Sequence, residues 1–135
     1  RAHTNDSFLL GGRRFRVSRG FAEVEIQAGP DYKFTLLNVH LKSRRTIAQA
    51  DETELREQEA VLLREKIDAC FRANPQINLL VAGDFNDLKD SRTLRSILGR
   101  GKNKLIDIRP AEQETADGTG GPARAAHRQV TWTHF

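Results

Sequence analysis

Residues 77–86, Ile77-Asn78-Leu79-Leu80-Val81-Ala82-Gly83-Asp84-Phe85-Asn86, govern how the rest of the chain is read. The apolar run from Ile77 to Gly83 is short enough to be a strand, and its lack of alternation points to burial on both faces. It breaks off into Asp84-Phe85-Asn86-Asp87, where a buried strand would first meet solvent. Directly upstream lies the strongest helix signal, Thr53 to about Ala73. Leu55, Leu62, Leu63, Ile67, Cys70 and Phe71 fall on one stripe near a 3.6-residue period. Glu52–Arg56, Arg64–Asp68 and Asp68–Arg72 are opposite charges four apart on its outer side, where Arg56 is expected as a solvated partner of Glu52. Asn74-Pro75 ends the helix, because the residue before proline disfavours helical geometry.

Further upstream the period changes to two. Phe15 and Val17 share one side of a run from Arg14 to Ser18. Ala22, Val24 and Ile26 alternate with Phe21, Glu23, Glu25 and Gln27 in a second run. After the turn residues Gly29-Pro30-Asp31, Lys33 to Leu41 reads as a third and more central strand. Three strands joined by short turns predict an antiparallel meander. Residues 1–13, containing Gly11-Gly12, read as a lead-in segment, and the polar, basic residues 42–51 as a loop. Ser91 can cap a short helix running to about Leu98, with Gly99 closing it. Lys104 to Ile108 is a candidate strand, residues 110–128 a mobile surface loop, and Gln129 to Phe135 a last alternating strand. Strands, a long helix, a buried strand and a second helix predict an α/β layered fold with a mixed sheet.

At 135 residues the chain has room for one domain, and its 38% apolar content can build a single core. No apolar run approaches the about 20 residues that a membrane-spanning helix needs. The single cysteine, Cys70, can form neither an internal disulfide nor a thiolate metal cluster; on the apolar stripe of the helix it reads as a buried, inert thiol. Charge is placed unevenly. Residues 1–19 carry five arginines against Asp6, whereas the remainder balances 17 basic side chains with 17 acidic ones. A basic edge on a neutral body suits a polyanionic partner, and equally a solvated strand edge. The chain begins with Arg1 and contains no methionine, as expected of a piece of a longer protein.

Two strand ends carry residues that do chemistry. In Asn38-Val39-His40-Leu41-Lys42-Ser43, alternation places Asn38 and His40 on one side of the strand, with Lys42 entering the loop. A histidine changes charge near neutral pH and can donate to a phosphate oxygen or a leaving group, although alone it is more often structural. In Gly83-Asp84-Phe85-Asn86, an Asp and an Asn two apart offer oxygen ligands suited to Mg²⁺ or Mn²⁺, or a carboxylate base beside an amide. The same pair also closes an ordinary Asx turn. A strand–helix–strand unit between them can bring both ends to one sheet edge, where ligand sites of such sheets lie. His40, Asp84, Asn86 and the cations Lys42, Arg44 and Arg45 then form a set able to hold and hydrolyse a phosphate ester.

Asn38-Val39-His40-Leu41-Lys42-Ser43 followed by Leu79-Leu80-Val81-Ala82-Gly83-Asp84-Phe85-Asn86-Asp87 resembles the endonuclease/exonuclease/phosphatase superfamily, the DNase I-like fold. The helix between them, Leu105-Ile106-Asp107 and the late Gln129-Val130-Thr131-Trp132-Thr133 also follow the family's order, over about residues 14–135. The resemblance implies part of a four-layered α/β sandwich with mixed, largely antiparallel sheets. It also implies Mg²⁺- or Mn²⁺-dependent hydrolysis of a phosphate ester. By position, His40 would contact the scissile phosphate or assist the leaving group. Asp84 would activate the attacking water or bind the metal, and Asn86 would hold the phosphate and help the metal site. Asn38, Lys42, Ser43 and Arg45 would contact substrate or support the strand ends. The basic stretches favour a nucleic acid as substrate. Relatives on the scaffold also act on inositol phosphates, sphingomyelin and small esters, and a binding domain without turnover is the rival class. The family's early metal-binding Glu and its late Ile-Asp-Tyr and Ser-Asp-His motifs have no counterpart between Arg1 and Phe135. The expectation is therefore an incomplete domain, inactive alone, whose remaining parts come from the rest of the protein or another chain. Asp107 and Trp132 read as structural, and His3, His127 and His134 have no companions at metal-ligand spacing.

Overall fold

The computed structural model describes residues 1–48 and 50–108. The chain divides into a unit spanning Arg1–Leu105 and a second, Ile106–Phe135. The first unit holds six strands: β1 (Ala2–His3), β2 (Ser7–Leu10), β3 (Arg13–Arg16), β4 (Phe21–Gln27), β5 (Lys33–His40) and β6 (Leu79–Asp84). Helix α1 (Glu52–Ala73) lies between β5 and β6, and α2 (Arg92–Leu98) and a short 3₁₀ turn (Gly101–Asn103) follow. Of the second unit, residues 106–108 are described; they are exposed and form no strand. The strand expected over Lys104–Ile108 is therefore absent: Lys104 instead bonds back to Gly101, and Leu105 to Leu98, closing the end of α2. The expected loop 110–128 and the strand Gln129–Phe135, with Trp132, lie outside the described residues.

The main sheet has the order β1-β4-β5-β6. β4 runs antiparallel to β1 and β5, whereas β5 and β6 are parallel and joined through α1, so the sheet is mixed and the fold is α/β. β2 and β3 form a separate hairpin turning at Gly11-Gly12. Two expectations change here. The three alternating runs do not form a meander, because Arg13–Arg16 finds its partner within the presumed lead-in, which itself supplies β1 and β2. Strand periodicity marks faces; it does not choose partners.

α1 begins at Asp51, whose side chain accepts from the amides of Thr53 (2.7 Å) and Glu54 (3.2 Å). Those two amides hold the Asp51 carboxyl below its ordinary range. At the far end Asn74 leaves helical geometry ahead of Pro75, as expected. The helix packs on one sheet face. In β5, Thr35, Leu37 and Val39 are buried on that face, joined by Leu41 beyond the strand. Leu37, Val39 and Leu41 meet Ala60, Leu63 and Ile67 of α1, with Val17, Phe21 and Ile97 completing the core. Burying each large aliphatic side chain here contributes about 1.5–3 kcal/mol. Leu79 and Val81 of β6 pack at the margin of this core, while Leu80 on the opposite face is 43% exposed. The apolar run Ile77–Gly83 is thus covered on one face only among the described residues, and not on two as its composition suggested. Cys70 is half-buried, and burial raises its thiol above the usual range.

Candidate active site

The parallel register pairs Asn38 with Ala82, Val39 with Gly83 and His40 with Asp84. Because side chains alternate, Asn38, His40 and Asp84 share the face turned away from α1. The two motifs distant in sequence are therefore neighbours. His40 Nε2 stands 3.8 Å from Asp84 Oδ2, with both side chains 47% exposed. That spacing is too long for a hydrogen bond and makes an ion pair when the imidazole is protonated.

Gly83 permits the approach. Its φ is +138°, and a Cβ there would stand 1.9 Å from the carbonyl oxygen of Val39. The next turn is equally specific. Asn86 has φ +52°, a left-handed conformation that asparagine tolerates better than most residues. Its amide N–H donates to Asp84 Oδ1 at 2.8 Å, and its side-chain Nδ2 donates to the carbonyl of Leu41 at 3.0 Å. Asp84 thus has one oxygen fixed by its own turn and the other turned to His40. Asn86 fastens the end of β6 to the residue after β5.

An open cleft of about 490 Å³ lies over this corner, lined by Asn38, His40, Gly83 and Asp84 together with Thr4 and Arg19. Small neighbours make the space: Asn38 is flanked by Ala22 on one side and Ala82 on the other. Arg19 brings a guanidinium to the cleft, held by an Nη1–H bond to the carbonyl of Leu41 at 3.2 Å. The Leu41 carbonyl therefore receives both Arg19 and Asn86, tying the cation and the acid–amide turn to one backbone atom.

Lys42, Ser43 and Arg45 are placed differently. Lys42 Nζ donates to the carbonyls of Ser43 (3.2 Å) and Arg45 (3.1 Å), folding the side chain over its own loop. Ser43 is half-buried and Arg45 exposed, and none of the three lines the cleft. Arg44 instead donates to the carbonyl of Asn86 at 3.2 Å and lies 3.7 Å from Asp87.

Beneath the corner, two charged side chains of α1 are buried. Glu59, 2% exposed, accepts from the amides of Ser18 and Lys42, each at 2.6 Å. Arg56, 3% exposed, donates to Asp87 at 3.2 Å and to the carbonyl of Lys42 at 3.2 Å. This overturns the expectation that Arg56 is a solvated partner of Glu52; Asp87 and backbone carbonyls satisfy it in the interior. Asp87 also accepts from the Thr93 hydroxyl at 2.6 Å. Burial pushes the Asp87 carboxyl upward, but Thr93, the Leu88 amide and Arg56 outweigh it and leave it below its ordinary value. The sequence signals for these residues were present. Leu55, Glu59, Leu63 and Ile67 recur every four residues, which puts Glu59 inside the apolar stripe, and Arg19 directly precedes the turn into β4.

Among the described residues, no group of three or more His, Cys, Asp or Glu side chains is placed to hold a metal ion. Asp84 offers one carboxylate edge to the cleft, and the Asn86 amide nitrogen is engaged by Leu41. Mg²⁺ is commonly held by one or two carboxylates with waters and substrate phosphate oxygens, and Asp84 fits as one such ligand. Comparisons with protein-family models, with curated proteins and with solved structures found no match.

Proposed function

We propose that this chain carries the phosphate-handling corner of a metal-dependent phosphodiester hydrolase of the endonuclease/exonuclease/phosphatase, DNase I-like type, within a four-layered sandwich. The observation that supports this most directly is the parallel pairing of His40 with Asp84 at the rim of a cleft that also holds Asn38 and Arg19. An imidazole, a carboxylate, an amide and a guanidinium on one rim suit a tetrahedral, anionic group. Arg19 and Asn38 hold the non-bridging oxygens and offset their charge. His40, protonated, donates to the phosphoryl or leaving oxygen as negative charge develops there. Asp84, its Oδ1 fixed by the Asn86 amide, presents Oδ2 to orient a water and accept its proton. A divalent cation, Mg²⁺ or Mn²⁺, shared by Asp84 and the phosphate would add charge neutralisation at the phosphoryl oxygens. Asn86 acts chiefly by locking the strand ends together, and Lys42, Ser43 and Arg45 by shaping the loop beside them.

The test is hydrolysis of bis-p-nitrophenyl phosphate, plasmid DNA and inositol phosphates by the 135-residue chain and by any longer protein that contains it, with Mg²⁺ and with EDTA. His40→Ala and Asp84→Ala are each expected to lower metal-dependent turnover by about 10²-fold or more. Turnover that survives both substitutions would show that the chemistry lies elsewhere.

A further inference from the structure

Thr4 and Arg19 both line the cleft, and the chain between them forms the β2–β3 hairpin, so the hairpin projects from the cleft's own rim. Its inner face is apolar. Phe8 pairs with Phe15, their rings stacked with centroids 6.1 Å apart, and Phe8 is buried. The amide of Val17 donates to the carbonyl of Asp6 at 3.0 Å, closing the hairpin base. Asp6, the one acid in residues 1–19, is itself engaged: Lys66 Nζ of α1 lies 2.9 Å from its Oδ2, an ion pair rather than an aligned hydrogen bond.

What remains is cationic. Arg13, Arg14 and Arg16 are exposed, and none forms an ion pair among the described residues. Arg14 and Arg16 share the outer face with Leu9, and Arg14 is steadied by an Nη1–H bond to Ser7 Oγ at 3.0 Å. Arg13 pairs with Leu10 and by alternation lies on the opposite face, that of Phe8 and Phe15, exposed beside the Gly11-Gly12 tip. Two residues along a strand span about 6.6 Å, comparable with the separation of neighbouring phosphates along one nucleic-acid strand. A two-stranded ribbon also fits the major groove of B-form DNA, whereas the major groove of an RNA duplex is too narrow for it. The outer face carries one large exposed apolar side chain, Leu9, too small an apolar contribution to anchor the hairpin in a lipid interface.

We infer that the β2–β3 hairpin is a DNA-binding arm, whose Arg14 and Arg16 hold backbone phosphates of a B-form duplex flanking the phosphodiester in the cleft. The inference rests on the proposed function for its placement beside the reacting group, but binding by the arm needs neither His40 nor Asp84. It also gives the substrate a class: a duplex polymer, favoured over a small ester.

Binding of the 135-residue chain to a fluorescein-labelled 20-bp DNA duplex is followed by anisotropy in EDTA between 50 and 200 mM NaCl. Arg14→Gln/Arg16→Gln is compared with the corresponding double lysine variant, and far-UV circular dichroism checks that each folds. Each lost phosphate contact lowers the slope of log K against log salt by about 0.9. The glutamine variant is expected to bind at least about tenfold more weakly, with a slope shallower by about 2, and the lysine variant to retain most of the slope. An unchanged affinity and slope in the glutamine variant would overturn the inference. So would equal or tighter binding of an RNA duplex of the same length, or a preference for phosphatidylserine vesicles. The two proposals fail separately. The arginine-dependent salt slope is expected in EDTA whether or not turnover ever appears. Hydrolysis of bis-p-nitrophenyl phosphate that depends on His40, beside arginine-independent DNA binding, would keep the cleft and remove the arm.

Discussion

Glu59 gives the sharpest test of how the site is held. Its carboxylate is 2% exposed and receives two amide N–H bonds of 2.6 Å, from Ser18 next to Arg19 and from Lys42 beyond β5. Glu59→Gln keeps the size and one acceptor oxygen, but sets an NH₂ group against the second amide. A hydrogen bond to a charged partner contributes about 1.5–3 kcal/mol, and an orphaned buried donor costs about 1–3 kcal/mol. Removing a buried charge returns part of that through relieved desolvation. The net loss is expected near 2 kcal/mol, a large share of a typical 5–15 kcal/mol stability. Thermal unfolding followed by circular dichroism would then show a midpoint lower by about 7–9 °C, at an unfolding entropy of about 2.1 cal/mol/K per residue. Amide hydrogen exchange should accelerate at Ser18 and Lys42 before the core amides of Leu37 and Val39. A midpoint within about 2 °C of the parent, with protection unchanged at both amides, would refute the reasoning.

Other substitutions probe neighbouring features. Gly83→Ala would place a Cβ 1.9 Å from the Val39 carbonyl oxygen at φ +138°, so overpacking and backbone strain together should cost about 2–5 kcal/mol by urea denaturation. Asp87 has a depressed carboxyl pKa in the folded state, so the unfolded chain takes up its proton first. Its stabilisation is complete above the unfolded value of about 3.9 and is lost as pH falls through the lower folded value. Asp87→Asn should flatten the stability curve below about pH 4 and, by leaving Arg56 buried without its carboxylate, cost about 3–5 kcal/mol at neutral pH. An acid limb unchanged from the parent would contradict that assignment. The Cys70 thiol, raised by burial, should react with a thiol-specific disulfide reagent more slowly at pH 7 than free cysteine, with the rate recovering in denaturant.

Local signals read correctly where periodicity and caps coincide. The helix from Thr53 to Ala73 differs from α1 by one residue, because its stripe, acidic start and Asn74-Pro75 stop are all encoded within one window. The return of β6 beside β5 followed from a strand–helix–strand order that leaves few other connections. Non-local partnership was harder. Nothing in Arg13–Arg16 says whether it pairs with β4 or with Ser7–Leu10, since both offer an apolar face of the right period. The exposure of Leu80 differs from expectation for a related reason: an apolar run records hydrophobicity on both faces, not whether a layer lies on each. Around the cleft, His40, Asp84 and Asn38 were legible because chemistry-bearing residues sat at strand ends. Glu59 and Arg56 escaped because a charge in an apolar stripe is read as a flaw until the amides and Asp87 that complete it are seen.

The parallel pairing of β5 with β6 has a consequence for how this corner tolerates change. The distance between imidazole and carboxylate is set by the gap between neighbouring strands, not by any loop. The exposed positions of the crossover between Leu41 and Asn78 can therefore vary, so long as Arg56, Glu59 and the apolar stripe of α1 keep their partners. A slide of one position along the ladder is another matter. It would turn Asp84 toward the helix and strand it in the apolar interior, so the corner tolerates change on its outer surface and is brittle to misalignment.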